Sequence, residues 1–316
     1  MGYDVSFHPI SPEEMQEWYF GPLTWVQQGR EEKVLALAAQ YGMEDFYAEK
    51  YLDTLRVGAG TGPDELFDKS HGFYIAVIQG FFRDYFYTRG SAFSFLVEQK
   101  PEYARYFTPW EQIVPAVFPN PAENRIIENY CSGVYLSPDQ AAQLLQDLEQ
   151  DKKVQEDMEG LWCDGQLAVL KKALTFAVEL GTGLLEATEV VEPDPISPNE
   201  STSYSNLYHC DRDGVYLYID MAMKQIAQAM GKDKEHHEQQ KNDKEGERWI
   251  DEWDHSSGHH SAAHGVPDAS YHQAMGRAFP VPSGPVSDVQ ITGISHRLSG
   301  LSSHKNGAFP GFCKTN

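Results

Sequence analysis

Residues 3–7, YDVSF, place Tyr3, Val5 and Phe7 on one side and polar side chains on the other, the period of a half-buried strand. His8-Pro9 is predicted to stop it. Ser11-Pro12-Glu13-Glu14 then carries the signals of a helix start: a hydroxyl that caps, a proline suited to the first turn and two acids facing the positive end of the dipole. From Glu31 to Leu55 apolar residues, among them Val34, Leu37, Ala38, Tyr47, Tyr51 and Leu55, recur at helical spacing, with Gly42 as the break between two helices or the kink in one. The glycine-rich VGAGTGP, Val57 to Pro63, predicts a loop, and Asp64-Glu65-Leu66-Phe67 a further capped start.

Between Gly72 and Val97 the chain runs GFYIAVIQGFFRDYFYTRGSAFSFLV, apolar on nearly every side. That predicts a helix packed on several sides at the centre of the core, with Gly80 and Gly90 as points of close packing or breaks. Tyr103 to Val117 predicts a short helical stretch. Ser137-Pro138-Asp139-Gln140 repeats the cap-and-proline start, and Leu144, Leu145 and Leu148 then share one face of a helix over 138–151. Leu167 to Leu180 continues the helical pattern until Gly181 and Gly183 end it. The run EVVEPDPISPNES predicts a surface loop, GVYLYID from Gly214 a strand, and Met221 to Met230 a last helix.

Beyond Gly231 the periodicity stops. Lys232 to Glu247 is almost wholly polar, and residues 254–316 are rich in Ser, Gly, His and Pro, a composition that buries too little apolar surface to offset its ordering entropy. The expected organisation is an acidic, mainly helical globular domain over 1–230 and a low-complexity, disordered tail over 231–316, either a genuine extension or appended, frame-shifted sequence. The fold class expected is α+β, predominantly helical, with a few short strands.

The net charge of −22 sharpens this division. Residues 231–316 carry 11 acids and 9 bases, which leaves 36 acids and 16 bases, about −20, in residues 1–230. Such a domain repels phosphate backbones and anionic lipid heads and draws in basic partners, so neither nucleic acid nor a membrane is expected to bind. No apolar run reaches the roughly 18 residues of a spanning helix, and Asp4 stands where a signal peptide carries basic residues. Cys131, Cys163, Cys210 and Cys313 form no CxxC pair, which points away from a disulfide framework and toward a cytoplasmic protein. Met1-Gly2 with Ser6 fits the loose myristoylation template, but the strand after it is the plainer account.

Candidate chemistry is sparse. His255 with His259, and His260 with His264, are i, i+4 pairs that would share a helix face, yet Ser256-Ser257-Gly258 is poor helix material and no cysteine completes a ligand set. A flexible tail is the expectation there, and no cofactor is implied. VGAGTGPDE lacks the lysine and hydroxyl of a phosphate loop. His209-Cys210-Asp211 is compact, but adjacent residues rarely face one another. The aromatics between Phe73 and Trp110 are expected in the core, with a ligand pocket as the other use.

Three stretches, YDVSFHPISPEEMQEWYF, ENYCSGVYLSPDQAAQLLQDL and GTGLLEATEVVEPDP, resemble a group of small bacterial cytosolic proteins, some of them similar to immunity proteins that neutralise secreted polymorphic toxins. The resemblance spans about residues 1–230 and rests on structural motifs, so it carries over no catalytic residue. It implies a non-catalytic binding protein that occludes a basic toxin with an acidic surface. Glu13, Glu14, Glu186, Glu189, Glu192 and Asp194, acids of helix starts and loops, are the expected partner-binding residues. The other expectation is a small-molecule enzyme with an aromatic pocket and a carboxylate pair.

Overall fold

The computed structural model describes residues 3–126 and 132–229. The tail from 231, with His255, His259, His260 and His264, lies outside the described residues. Strand β1 (Tyr3–Ile10) runs three residues further than the pattern predicts. Its pairing with the next strand ends at Phe7, so Pro9 lies where β1 has one neighbour and its missing N–H is tolerated as at a sheet edge. Ser11 then caps α1 (Pro12–Met15) in a full capping box with Glu14. A π turn (Gln16–Phe20) leads into α2 (Gly21–Gln27). Pro22 explains the turn, because it offers no N–H to the Trp18 carbonyl four residues back and its ring crowds that oxygen. The Tyr51 hydroxyl donates to it instead, at 2.7 Å.

Helices α3 (Glu32–Gln40) and α4 (Asp45–Ala59) are separate, broken at Gly42, which has φ +70°. Helix α4 consumes the first half of the expected glycine loop. Residues 61–70 form turns instead of the expected helix start, and α5 (His71–Phe82) begins only after them. The long apolar run is not one helix. It divides into α5, strand β2 (Tyr85–Gly90) and α6 (Phe93–Gln99), followed by 3-10 turns at Pro101–Tyr106 and Trp110–Gln112. Strand β3 (Ser132–Leu136) precedes α7 (Pro138–Gln150), which starts on a second capping box, Ser137 with Gln140. Then come α8 (Lys152–Leu161), α9 (Gln166–Leu180), β4 (Gly183–Thr188), β5 (Val191–Glu192), β6 (Thr202–Ser203), β7 (Cys210–Asp211) and α10 (Arg212–Ala229). The stretch expected as a strand, Gly214 to Asp220, is the first half of α10.

The fold is α+β and predominantly helical. Its sheet is larger than expected, five strands in the order β3-β4-β1-β2-β7, antiparallel except for β2 with β7. Helices cover both faces. Val5, Phe7, Phe86, Val134, Leu136 and Leu184 pack on α6 to α9, and Ile10, Tyr135, Leu185 and Ala187 pack on α1 to α5. A third cluster, Tyr85, Tyr87, Cys210, Val215 and Ile219, joins α10 to the β2 edge. Beyond the two residues that pair with β7, α10 covers that edge: a Cβ built on Gly214 would stand 1.6 Å from the Tyr87 carbonyl oxygen.

Candidate functional site

Because β1 is buried on both faces, its inward polar residues must find partners inside. His8 is fully buried, stacks on Tyr85, and has Nε2 2.8 Å from Ser6 Oγ and Nδ1 2.7 Å from Gln79 Oε1. Gln79 donates its amide to the Asp84 carbonyl, which leaves Oε1 as acceptor and fixes the proton on His8 Nδ1. The Ser6 hydroxyl then donates to Nε2. A serine next to a histidine suggests a nucleophile and base, but the third member is a neutral amide and Ser6 is 1% exposed. Burial lowers the His8 pKa to about 3, so the ring stays neutral and the trio works as a hydrogen-bonded brace.

A second group stands at the start of α5. Tyr19 is held neutral by burial, so its hydroxyl donates to His71 Nδ1 at 2.5 Å. Asn120, whose amide donates to the Gly62 and Glu65 carbonyls, bonds the same histidine. Phe67 and Phe118 pack on the ring, and burial lowers the His71 pKa to about 4. The glycine-rich segment is thereby tied to the core by an amide and a histidine. Asp68 is buried beside it with Oδ1 accepting the Glu123 N–H, and burial raises its pKa.

The six acids expected to bind a partner are dispersed in role. Glu13 and Glu192 are exposed. Glu14 closes the capping box and pairs with Arg83, which lies over the Trp18 ring. Glu189 takes a left-handed conformation, φ +58°, and its N–H donates to the Asp4 carbonyl. Asp194 Oδ1 accepts the N–H groups of Ile196 and Ser197, a turn of its own making. Glu186 is no surface acid: it lies in β4 with 0% exposure, on the face that packs against α6 to α9, and this removes it from any contact surface.

A different place contains His209-Cys210-Asp211, compact in sequence, among residues that only the fold brings together. Where β7 meets α10, a solvent-open concavity of about 380 Å³ is lined by Asp84, Tyr208, His209, Cys210, Asp211, Arg212, Asp213 and Tyr216. Tyr208 is 49% exposed, and partial burial, with the charge of Glu44 behind it, raises its pKa. Lys172 of α9 bridges Asp211 and Asp213, at 2.6 Å to each. His209 donates from Nδ1 to the Gly80 carbonyl at 2.9 Å, away from its neighbours in sequence. Burial pushes the Cys210 thiol well above its ordinary range, so no thiolate is available there. The corner therefore offers the exposed Tyr208 ring, the half-buried Tyr216 and the carboxylates of Asp84 and Asp213 to a partner, and no activated nucleophile.

The aromatics between Phe73 and Trp110 fill the core: Phe93 packs on Phe7, Phe107 and Trp162, and Phe67 on Trp110. Among the described residues no group of three or more His, Cys, Asp or Glu is placed to hold a metal ion, and no helix is long and apolar enough to cross a membrane. No family model, curated protein or solved structure matches the chain.

Proposed function

We propose that this is a non-catalytic binding protein that takes a basic protein partner on the β7–α10 corner, in the manner of an immunity protein occluding a toxin. The observation that carries the proposal is the coincidence at one open concavity of Tyr208 and Tyr216 with Asp84, Asp211 and Asp213. Tyrosine supplies contact area at low entropic cost, and carboxylates steer a cationic surface into place. The charge of about −20 on residues 1–230 supports the same reading. Burial of His8, His71, Glu186 and Cys210 supports the non-catalytic part, since each is closed off from a substrate. The enzyme reading gains no such support, because the aromatic residues it calls on are packed against one another.

The test is a pull-down from the native lysate with the full chain, run beside the double charge reversal Asp84→Lys, Asp213→Lys. Both side chains are exposed, so the fold is expected to survive. The proposal expects one basic protein at about 1:1 stoichiometry, lost in the variant and weakened as salt rises through the range in which the Debye length falls from about 10 Å to 3 Å. Equal capture by both chains, or none by either, refutes it.

A further inference from the structure

We infer that Glu186 is a proton-dependent latch: as a neutral carboxylic acid it pins the start of α6 to β4, and its ionisation releases that helix from the sheet.

The geometry is that of a carboxyl group provided with half a set of partners. Glu186 Oε2 accepts the Phe93 N–H at 2.8 Å, which ties the first turn of α6 to the central part of the sheet. Oε1 has no hydrogen-bond partner among the described residues, and it lies against the β3 backbone, where a Cβ on Gly133 would come within 2.5 Å of it. Two more buried polar atoms adjoin Phe93 without a partner among the described residues, Ser94 Oγ in the next residue and Nε1 of Trp162, whose ring packs on Phe93 at 4.9 Å. A carboxylate in this setting would hold its charge with one N–H for compensation. An ion buried without a counter-charge costs far more than a neutral group, so the molecule keeps the proton or opens the site.

Among the described residues, those that pack around the group offer no counter-charge. On β1 its cross-strand neighbour is Phe7, on β3 it meets Gly133, and α6 brings Phe93 and Ser94. Ile126 closes the side toward β3, and α7 and α9 present Leu144, Leu170 and Leu174 to the same core. None of these ionises. Burial raises the Glu186 pKa to about 8, with the Phe93 N–H as the only opposing influence. The element at stake is a weak one. Helix α6 has seven residues and no side-chain cap, so the bond from Phe93 to Glu186 stands in for one.

Hydrogen exchange on the full chain between pH 6.5 and 9.5, corrected for the intrinsic rate, tests the latch. In the wild type the protection of Phe93–Gln99 is expected to fall at least tenfold relative to Gln166–Leu180 as pH passes from 7 to 9, and in Glu186→Gln to stay level. Parallel behaviour of the two segments, or the same fall in both proteins, overturns the inference. Should the variant fail to fold, carbon-13 labelling of glutamate with exchange at the Phe93 amide in the wild type decides: a Glu186 carboxyl midpoint at 7 or above with loss of Phe93 protection over the same pH range supports the latch, and a midpoint below 7, or protection unchanged through it, overturns it.

Discussion

Replacing Gly214 by alanine should destabilise the protein, although a helix interior ordinarily favours that change. Alanine in place of glycine inside an exposed helix gains about 0.5–1 kcal/mol, since glycine loses more backbone freedom on folding. In α10 the new methyl would stand 1.6 Å from the Tyr87 carbonyl oxygen and 2.8 Å from its carbon. These are backbone atoms of a strand held by β1, so no side-chain rotation relieves the overlap. To reach even the 3.0 Å that real contacts tolerate, α10 must withdraw by more than an ångström. That lifts Val215 and Ile219, both buried, from Tyr85 and Tyr87. Overpacking costs roughly 1–3 kcal/mol and each poorly buried aliphatic side chain part of a further ~1.5–3 kcal/mol, so a net loss of about 3 kcal/mol is expected. Urea denaturation measures it, with Gly160→Ala in α8 as the control, because nothing lies within 4 Å of a Cβ there. The control should gain stability while G214A loses it. Equal gains in both would refute the packing of α10 on the β2 edge, and with it the placement of Asp213 and Tyr216 beside Asp84.

Tyr51→Phe should cost about 1–3 kcal/mol by the same denaturation, above the usual worth of a hydrogen bond, because it leaves the Trp18 carbonyl buried beside a proline that has no N–H to give. A loss below about 0.5 kcal/mol would show that carbonyl to be satisfied otherwise. Acid should unfold the protein through His8 and His71, whose pKa values fall from 6.5 in the unfolded chain to about 3 and about 4 in the folded one. Groups with depressed folded values contribute stability that is complete above pH 6.5 and lost as pH falls toward 4 and 3, at about 1.4 kcal/mol per pH unit for each. His71→Gln should lower stability at every pH through its lost contacts, but roughly halve the slope of that limb between pH 6.5 and 4, where His8 alone still titrates, and leave the slope above pH 6.5 unchanged. An unaltered slope would mean that the ring is solvated in the folded state.

Local chemistry was legible in the sequence where it acts locally. Ser11 and Ser137 cap helices because the hydroxyl, the proline and the glutamate or glutamine three residues on all act within one turn. Gly42 and Gly181 end helices for a similarly local reason, a left-handed backbone. A strand buried on both faces need not show the alternation that marks β1, whose enclosed face carries Ser6 and His8. Tyr85 to Gly90 and Gly183 to Thr188 are enclosed by helices above and below, so their apolar residues run continuously and imitate a buried helix or a helix end. GVYLYID errs the other way. Its β-branched and aromatic residues favour a strand, but Val215 and Ile219 stand four apart on the face that α10 lays on β2, and that packing overrides propensity.

The acids show where such inference stops. Charge on residues 1–230 is a property of composition, whereas the surface that carries it depends on pairings across more than 120 residues. Asp84 meets Asp211 and Asp213 only because β2 accepts β7 in parallel through Tyr85 with Cys210 and Phe86 with Asp211. Helix α9 then lends Lys172 to bridge the two aspartates and offset their mutual repulsion. Glu186 fails as a surface acid for the converse reason. Glutamate is rarely buried, so its identity alone argues for solvent, while its neighbours Leu184, Leu185 and Ala187 argue for a strand with no wet face. A glutamate inside such a run is therefore better taken as a buried acid than as a contact residue, and its protonation state becomes a property of the core.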